Sequence, residues 1–275
     1  MNSRKGTPST GELRSSLERL ADEARQSNMS DRRRRSLENE IRQIVEQLGS
    51  LLRELDPVVE PAAVFDPSNP KVVGRFVALA LVAQPRCPLE QVELSYGSGI
   101  YALYYSGAFP AYDAISGSET PIYVGTASPA VGNARTPYEQ GPRLSERIRY
   151  HAGNIAKATS TLSLSDFQYR SLVVQSGWEK QAESYLIHLF HPVWNKEVKI
   201  MSGFGKHGDS PTMRQHGRSP WDTMHPARTW AGDSASDQKP IPQIEAELID
   251  HFERHPPYGS VEAVLADFLE ELRQI

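Results

Sequence analysis

Apolar residues return every third or fourth position over the first part of the chain, the spacing of a helix that buries one stripe. This period predicts two helices, over residues 10–28 and 31–55. In the second, Leu37, Ile41, Ile44, Leu48, Leu51 and Leu55 alternate in steps of four and three. Such a seam either pairs with another copy as a coiled coil or packs on its own domain. Residues 1–9, Met-Asn-Ser-Arg-Lys-Gly-Thr-Pro-Ser, have no period and read as an unstructured start. Pro57, Pro61, Pro67 and Pro70 then mark a linker, and an apolar helix over about 71–83 follows.

Beyond the Pro85–Pro88 break the character changes. Gly99-Ile-Tyr-Ala-Leu-Tyr-Tyr105 is rich in aromatic and β-branched residues, as strands are. A second strand is expected over Pro121-Ile-Tyr-Val-Gly125 and a third over 167–175, with helices over 142–158 and 177–191. Residues 196–236 hold many Gly, Pro, His, Trp and Arg without any period, and loops of that length in compact proteins usually serve function. Two amphipathic helices, 241–254 and 260–274, close the chain, with Ser260 placed to cap the last.

Composition narrows the classes. The longest apolar run, Phe76–Ala83, is far too short for a bilayer, and residues 1–20 lack the apolar stretch of a signal peptide. The lone Cys87 can form neither an internal disulfide nor a thiolate metal site, so a cytoplasmic address is expected. Net charge is −4, which argues against a protein that coats nucleic acid indiscriminately. From Asp237 onward nine acids face three bases, giving −6 and leaving +2 for residues 1–236. Three segments follow: a helical arm (1–60), a central domain (61–236) and an acidic helical tail (237–275).

Candidate chemistry lies in the central domain. Tyr101 and Tyr123 each sit in a Gly-bounded apolar strand; taken singly, either is an ordinary core phenol. Arg147 and His151 are four apart and share one helix face. Glu183 lies on a helix whose Ala182, Leu186, Ile187 and Phe190 make an apolar face, and Asn195 follows the Pro-Val-Trp that ends it.

In this order, Gly99-Ile100-Tyr101, Tyr123-Val124-Gly125, Arg147, Glu183 and Asn195 resemble the signature of the GIY-YIG nuclease superfamily across residues 97–196. A closer resemblance is to the GIY-YIG type II restriction enzymes that cut CCGCGG. It rests on Gly-Ile-Tyr-Ala-Leu-Tyr-Tyr (99–105), Pro-Ile-Tyr-Val-Gly (121–125), Arg-Ile-Arg-Tyr-His (147–151) and Gly-Asn-Ile-Ala-Lys (153–157), with Gly-Phe-Gly (203–205) and Trp-Asp-Thr-Met-His-Pro-Ala-Arg-Thr-Trp (221–230). The resemblance implies an α/β fold with a small three-stranded antiparallel sheet flanked by helices, to which this chain adds the N-terminal arm and C-terminal helices.

It also implies roles. Glu183 is the single protein ligand of a divalent ion, Mg²⁺ or alternatively Mn²⁺, whose shell water and phosphate complete. Arg147 holds the scissile phosphate, Tyr101 takes the proton of the attacking water, and Tyr123 orients water or phosphate. Asn195 positions groups near the metal. A phenol with an ordinary pKa near 10 is a poor base, so Tyr101 needs a proton sink, and His151 one turn from Arg147 is placed to be one. This chain departs from the pattern at Thr126, where some relatives carry lysine. The interval between the tyrosine motifs, 107–120, is also long.

The expected partner is double-stranded DNA. The candidate contacts are Lys157, at the end of the 142–158 helix, and Lys199, Lys206, His207, Arg214 and Arg218 in a loop that also holds Lys196 and Arg228; they either read guanine edges or only touch phosphate. Trp221, Pro226 and Trp230 are expected to pin this loop to the body. A palindromic site calls for a dimer on DNA, and the arm's seam raises self-association up to a tetramer. Glu197-Val198-Lys199 fits the last tripeptide of a PD-(D/E)xK nuclease, but no Pro-Asp partner precedes it. A repair or homing nuclease and a non-catalytic DNA-binding module are the other readings.

Overall fold

The computed structural model describes residues 10–25, 29–58, 61, 64, 66–175, 177–205, 217–232 and 236–273. The chain divides into two compact units, residues 1–62 and 63–275. The first holds α1 (Thr10–Ala24) and α2 (Asp31–Leu55). Ser30 caps α2 by accepting from Arg33 N, and Arg33 pairs with Glu23 of α1 at 2.7 Å. Along the seam Leu37 is buried and Ile44 and Leu48 are half-buried, whereas Ile41, Leu51 and Leu55 are exposed.

The second unit is built on one antiparallel sheet in the order β1-β4-β2-β3. Its strands are β1 (Cys87–Pro88), β2 (Gly99–Tyr105), β3 (Tyr123–Ala127) and β4 (Phe167–Val173). The sheet therefore has one strand more than expected; two residues, one of them proline, are too few to show a period, and proline is confined to sheet edges. β3 starts at Tyr123 rather than Pro121, although Ile122 N still donates to Leu103 O at 2.8 Å.

β2 is buried on both faces, which is why it reads as a continuous apolar run. Tyr101, Leu103 and Tyr105 point to one face with Tyr123 and Ala127, and pack against Leu144, Ile148 and Ile155 of α5 (Arg143–Lys157). Ile100, Ala102, Tyr104 and Val124 point to the other. They meet α3 (Pro70–Val82) and α6 (Glu179–Phe190), which also pack closely on each other. Tyr104 is flanked by the guanidinium groups of Arg86 and Arg170, both paired with Glu119.

α4 (Pro137–Gln140) is a single turn ahead of α5. The region expected to be a long loop contains two short helices, α7 (Pro220–Met224) and α8 (Thr229–Gly232). Residues 206–216 and 233–235 within it lie outside the described residues. The acidic tail belongs to the second unit: Ile244 and Leu248 of α9 (Ile241–Arg254) join the core on the α5 side of the sheet, and Val264 of α10 (Val261–Leu272) joins the other. Ser260 caps α10, accepting from Ala263 N. Among the described residues no helix is long and apolar enough to cross a membrane.

Candidate active site

The sheet register sets Tyr101 opposite Gly125 and Leu103 opposite Tyr123, so both tyrosines emerge on the face that α5 covers. Gly125 is required here, because a Cβ at this position would fall on the Tyr101 hydroxyl. On α5 the buried stripe Leu144, Ile148, His151, Ile155 turns His151 toward the sheet, and half-buried Arg147 stands beside the stripe. His151 Nε2 lies 2.8 Å from the Tyr101 hydroxyl, and both residues are sealed from solvent. Tyr123 is 8% exposed and opens toward a cleft.

That cleft, about 440 Å³, is lined by Tyr123, Arg147, Glu183, Asn195 and Glu197, with Gly203 and Gly205 forming a wall. Glu183 reaches it from the opposite side of the sheet, passing the edge strand β3, where Thr126 Oγ1 donates to its Oε2 at 3.2 Å. A larger cavity of about 530 Å³, lined by His188, His191, His251 and His255, contains none of the signature residues.

Electrostatics separates the two sides. Burial pushes the Tyr101 phenol well above its ordinary value and Tyr123 adds to this, while the Arg147 guanidinium pulls it back. Burial also raises the Tyr123 phenol, again opposed by Arg147. Burial raises the Glu183 carboxyl, with Glu197 adding and Thr126, Lys196 and Arg147 opposing. A phenolate at Tyr101 is therefore disfavoured at rest, and the hydrogen-bonding neighbour of this hydroxyl is His151 Nε2.

Asn195 lines the cleft and also ties into the sheet. Its Oδ1 accepts from Val124 N at 2.9 Å and its Nδ2 donates to Val124 O at 2.8 Å, so the amide holds β3. Of the expected DNA contacts, Lys157 is exposed in the last turn of α5 and Lys199 is exposed with φ +67°. Arg218 is ion-paired with Asp237 at 2.6 Å. Lys206, His207 and Arg214 lie outside the described residues. Arg228 is not a surface cation: it is buried in a 2.6 Å ion pair with Asp222. Trp221 is fully buried and Trp230 half-buried, as pins should be, but Pro226 is exposed.

Among the described residues no group of three or more His, Cys, Asp or Glu side chains could hold a metal. A magnesium ion keeps several waters and needs only one or two carboxylates, so the donor set of one cleft-facing carboxylate with a second acid, Glu197, near it fits that kind of ion.

Two tyrosines on one face, an arginine and a histidine on the covering helix, and a carboxylate beyond the edge strand define a GIY-YIG nuclease. The family model described as Eco29kI GIY-YIG domain matches residues 93–252, and the chain belongs to that family of restriction-type nucleases, whose substrate is DNA. No curated protein matches the chain.

Thr126 and Phe204 are the residues whose roles the sequence did not disclose. Thr126 was visible only as a departure from the lysine of some relatives, and its bond to Glu183 needs the fold. Phe204 stacks on His151 with ring centroids 4.4 Å apart, although Gly-Phe-Gly offers no chemical signal of this.

Proposed function

We propose that the protein is a type II restriction endonuclease that hydrolyses both strands of a GC-rich palindrome, CCGCGG, acting as a dimer on DNA. The observation that carries the reading is the hydrogen bond between Tyr101 and His151 beside a cleft that Arg147 and Glu183 share. Tyr101 takes the proton of the attacking water as its own proton passes to His151 Nε2, so no free phenolate forms in the buried site. Arg147 directs its donors at the phosphate as negative charge builds. Tyr123, at the mouth of the cleft, orients the water or the phosphate. Glu183 holds a divalent ion, Mg²⁺ or Mn²⁺, and Thr126 fixes the carboxylate for it. When bound, that ion stabilises the charge on the phosphorane and on the leaving oxygen.

Asn195 acts at one remove, by holding the strand that carries Tyr123 and Gly125. Sequence reading is assigned to residues 196–236, with Lys199, Lys206, His207, Arg214 and Arg218 as the basic groups that face guanine or phosphate, and Lys157 on α5 as a phosphate contact. The test is digestion of a plasmid of known sequence with Mg²⁺ and mapping of the ends. Cuts confined to CCGCGG support the reading. Cuts elsewhere correct the specificity, and an intact plasmid with either metal rejects the enzyme.

A further inference from the structure

The segment 221–230 enters no step of the reaction proposed above, yet much of it is buried. Arg228 donates from Nε to Asp222 Oδ1 at 2.6 Å, from Nη2 to Gly203 O at 2.9 Å and from Nη1 to Phe204 O at 3.4 Å. Its guanidinium lies over the rings of Trp221 and Trp230, 4.9 Å from each. Asp222 accepts from Ser219 Oγ on its other oxygen at 2.6 Å, and Ser219, Asp222 and Arg228 are all buried. A buried ion pair is a poor source of stability, since desolvation offsets most of its attraction, so its placement asks what it holds.

It holds the Gly-Phe-Gly turn. Gly203 has φ +118° and Ser219 sits where its Cβ would be, so only glycine fits here. The turn presents Phe204 inward, fully buried, with Trp194 and Trp221 at centroid distances of 4.6 and 5.2 Å behind it. Its ring lies nearly parallel to the His151 imidazole, at 4.4 Å and 23°. Tyr123 meets Phe204 edge-on at 5.0 Å. The next residue, Gly205, forms the cleft wall beside Tyr123 and Arg147. The imidazole plane is thus set by a ring that is itself set by an ion pair.

We propose that Phe204 is a positioning residue for the reaction: it fixes the His151 ring against the Tyr101 hydroxyl, and the Asp222–Arg228 pair fixes Phe204. This rests on the reading of Tyr101 and His151 as the proton path. The role is geometric. A misplacement of about 1 Å in a reacting constellation can cost about 100-fold in rate, and Phe204 has no other polar or charged task.

The test uses the full chain, Mg²⁺ and a supercoiled plasmid that the wild-type protein cuts. Single-turnover rates are measured for Phe204→Leu, Phe204→Tyr and Arg228→Lys, each alone and combined with His151→Ala. Plasmid affinity is measured with Ca²⁺ in place of Mg²⁺. Phe204→Leu and Arg228→Lys are expected to slow cleavage by about 30- to 100-fold with affinity within about twofold. Phe204→Tyr, which keeps the ring, should cut within about threefold of wild type. Combined with His151→Ala, neither Phe204→Leu nor Arg228→Lys should cost anything further.

A full-rate Phe204→Leu protein, alongside a crippled His151→Ala, overturns the positioning role alone. So does an equal loss in the two backgrounds. If Phe204→Leu does not fold, Arg228→Lys decides in the same way. Wild-type cleavage by His151→Ala would instead overturn the proton path on which the proposal stands.

Discussion

Among the described residues, two buried tyrosine–histidine pairs are hydrogen-bonded. Tyr101 meets His151 Nε2 at 2.8 Å, and Tyr112 meets His225 Nε2 at 2.6 Å. In the second pair every polar atom has a partner. Trp194 Nε1, which can only donate, gives a hydrogen bond to the Tyr112 hydroxyl at 2.9 Å, which leaves the hydroxyl's own proton available for His225 Nε2. The Nδ1-protonated tautomer of His225 completes the chain, with Nδ1 2.8 Å from Thr161 Oγ1, which itself donates to Ala158 O. No ionised group enters this chain, and burial holds the His225 imidazole down at about 3. Around Tyr101, by contrast, Arg147 supplies positive charge and Tyr123 leads to an open cleft. The same two side chains make a pin in one place and, in the mechanism proposed above, a proton path in the other. What separates them is a nearby charge and a way in, not the pair itself.

The largest effects expected on cleavage lie on the charged side. Glu183→Ala should abolish cleavage while leaving site-specific DNA binding intact, as measured by plasmid digestion beside a gel-shift assay. Tyr101→Phe removes only a hydroxyl, yet should slow single-turnover cleavage by roughly 10²- to 10⁴-fold. Arg147→Ala should remove at least about 2 kcal/mol of transition-state stabilisation. Tyr112→Phe sharpens the contrast. It should cut at nearly the wild-type rate per folded molecule, yet lose about 1–3 kcal/mol of stability in urea, because Trp194 Nε1 and His225 Nε2 lose their partner together. A catalytic loss in Tyr112→Phe without a loss of stability would erase the distinction.

Much of this contrast was legible beforehand, but unevenly. The tyrosine, arginine and glutamate positions could be read before any geometry because their order along the chain resembles the GIY-YIG signature. His151 was placed by helical spacing from Arg147. Tyr112 and His225 carried no such sign, because they are 113 residues apart and meet only when the insertion between β2 and β3 folds under α7. Arg228 gave no sign of its place for a related reason: a cation in a stretch without period shows nothing of its acid, Asp222, until both are seen buried together. β1 went unnoticed because two residues carry no alternation.

Acid should separate the pairs by stability. Between its unfolded value of 6.5 and about 3, His225 takes up a proton in the unfolded chain but not in the folded one. Stability therefore falls as pH drops through that window, by up to about 1.4 kcal/mol per pH unit. His251, held down to about 4 by burial, pulls in the same direction. Thermal melting from pH 7.5 to 4.5 should show the loss, and His225→Asn should flatten it; an unchanged slope in that variant would place the titration elsewhere.

The smallest effect on cleavage itself is expected from removing the arm. The exposed Ile41, Leu51 and Leu55 offer a stripe for a second copy, so light scattering without DNA should give a larger assembly, up to a tetramer, for the full chain than for a version beginning at Pro57. Equal masses would assign the seam to packing within the chain.

Asn195 has a consequence beyond the site. β3 is the last strand of its sheet, and an outermost strand shows a row of unpaired N–H and C=O groups that invites another chain to add on. A side-chain amide presents a donor and an acceptor on one edge, as a strand residue presents its N–H and C=O, and Asn195 lays both against Val124. One step before it, Trp194 N donates to Ile122 O at 3.0 Å. The chain thereby counterfeits a short piece of a fifth strand at the border where Tyr123 and Gly125 stand. In the proposed mechanism this border opens to DNA, and pairing of its backbone groups is expected to blunt it as a template for another strand. Asn195→Asp, which keeps the shape but loses the donor, would leave the Val124 carbonyl facing a like-charged oxygen, and soluble yield should fall along with turnover.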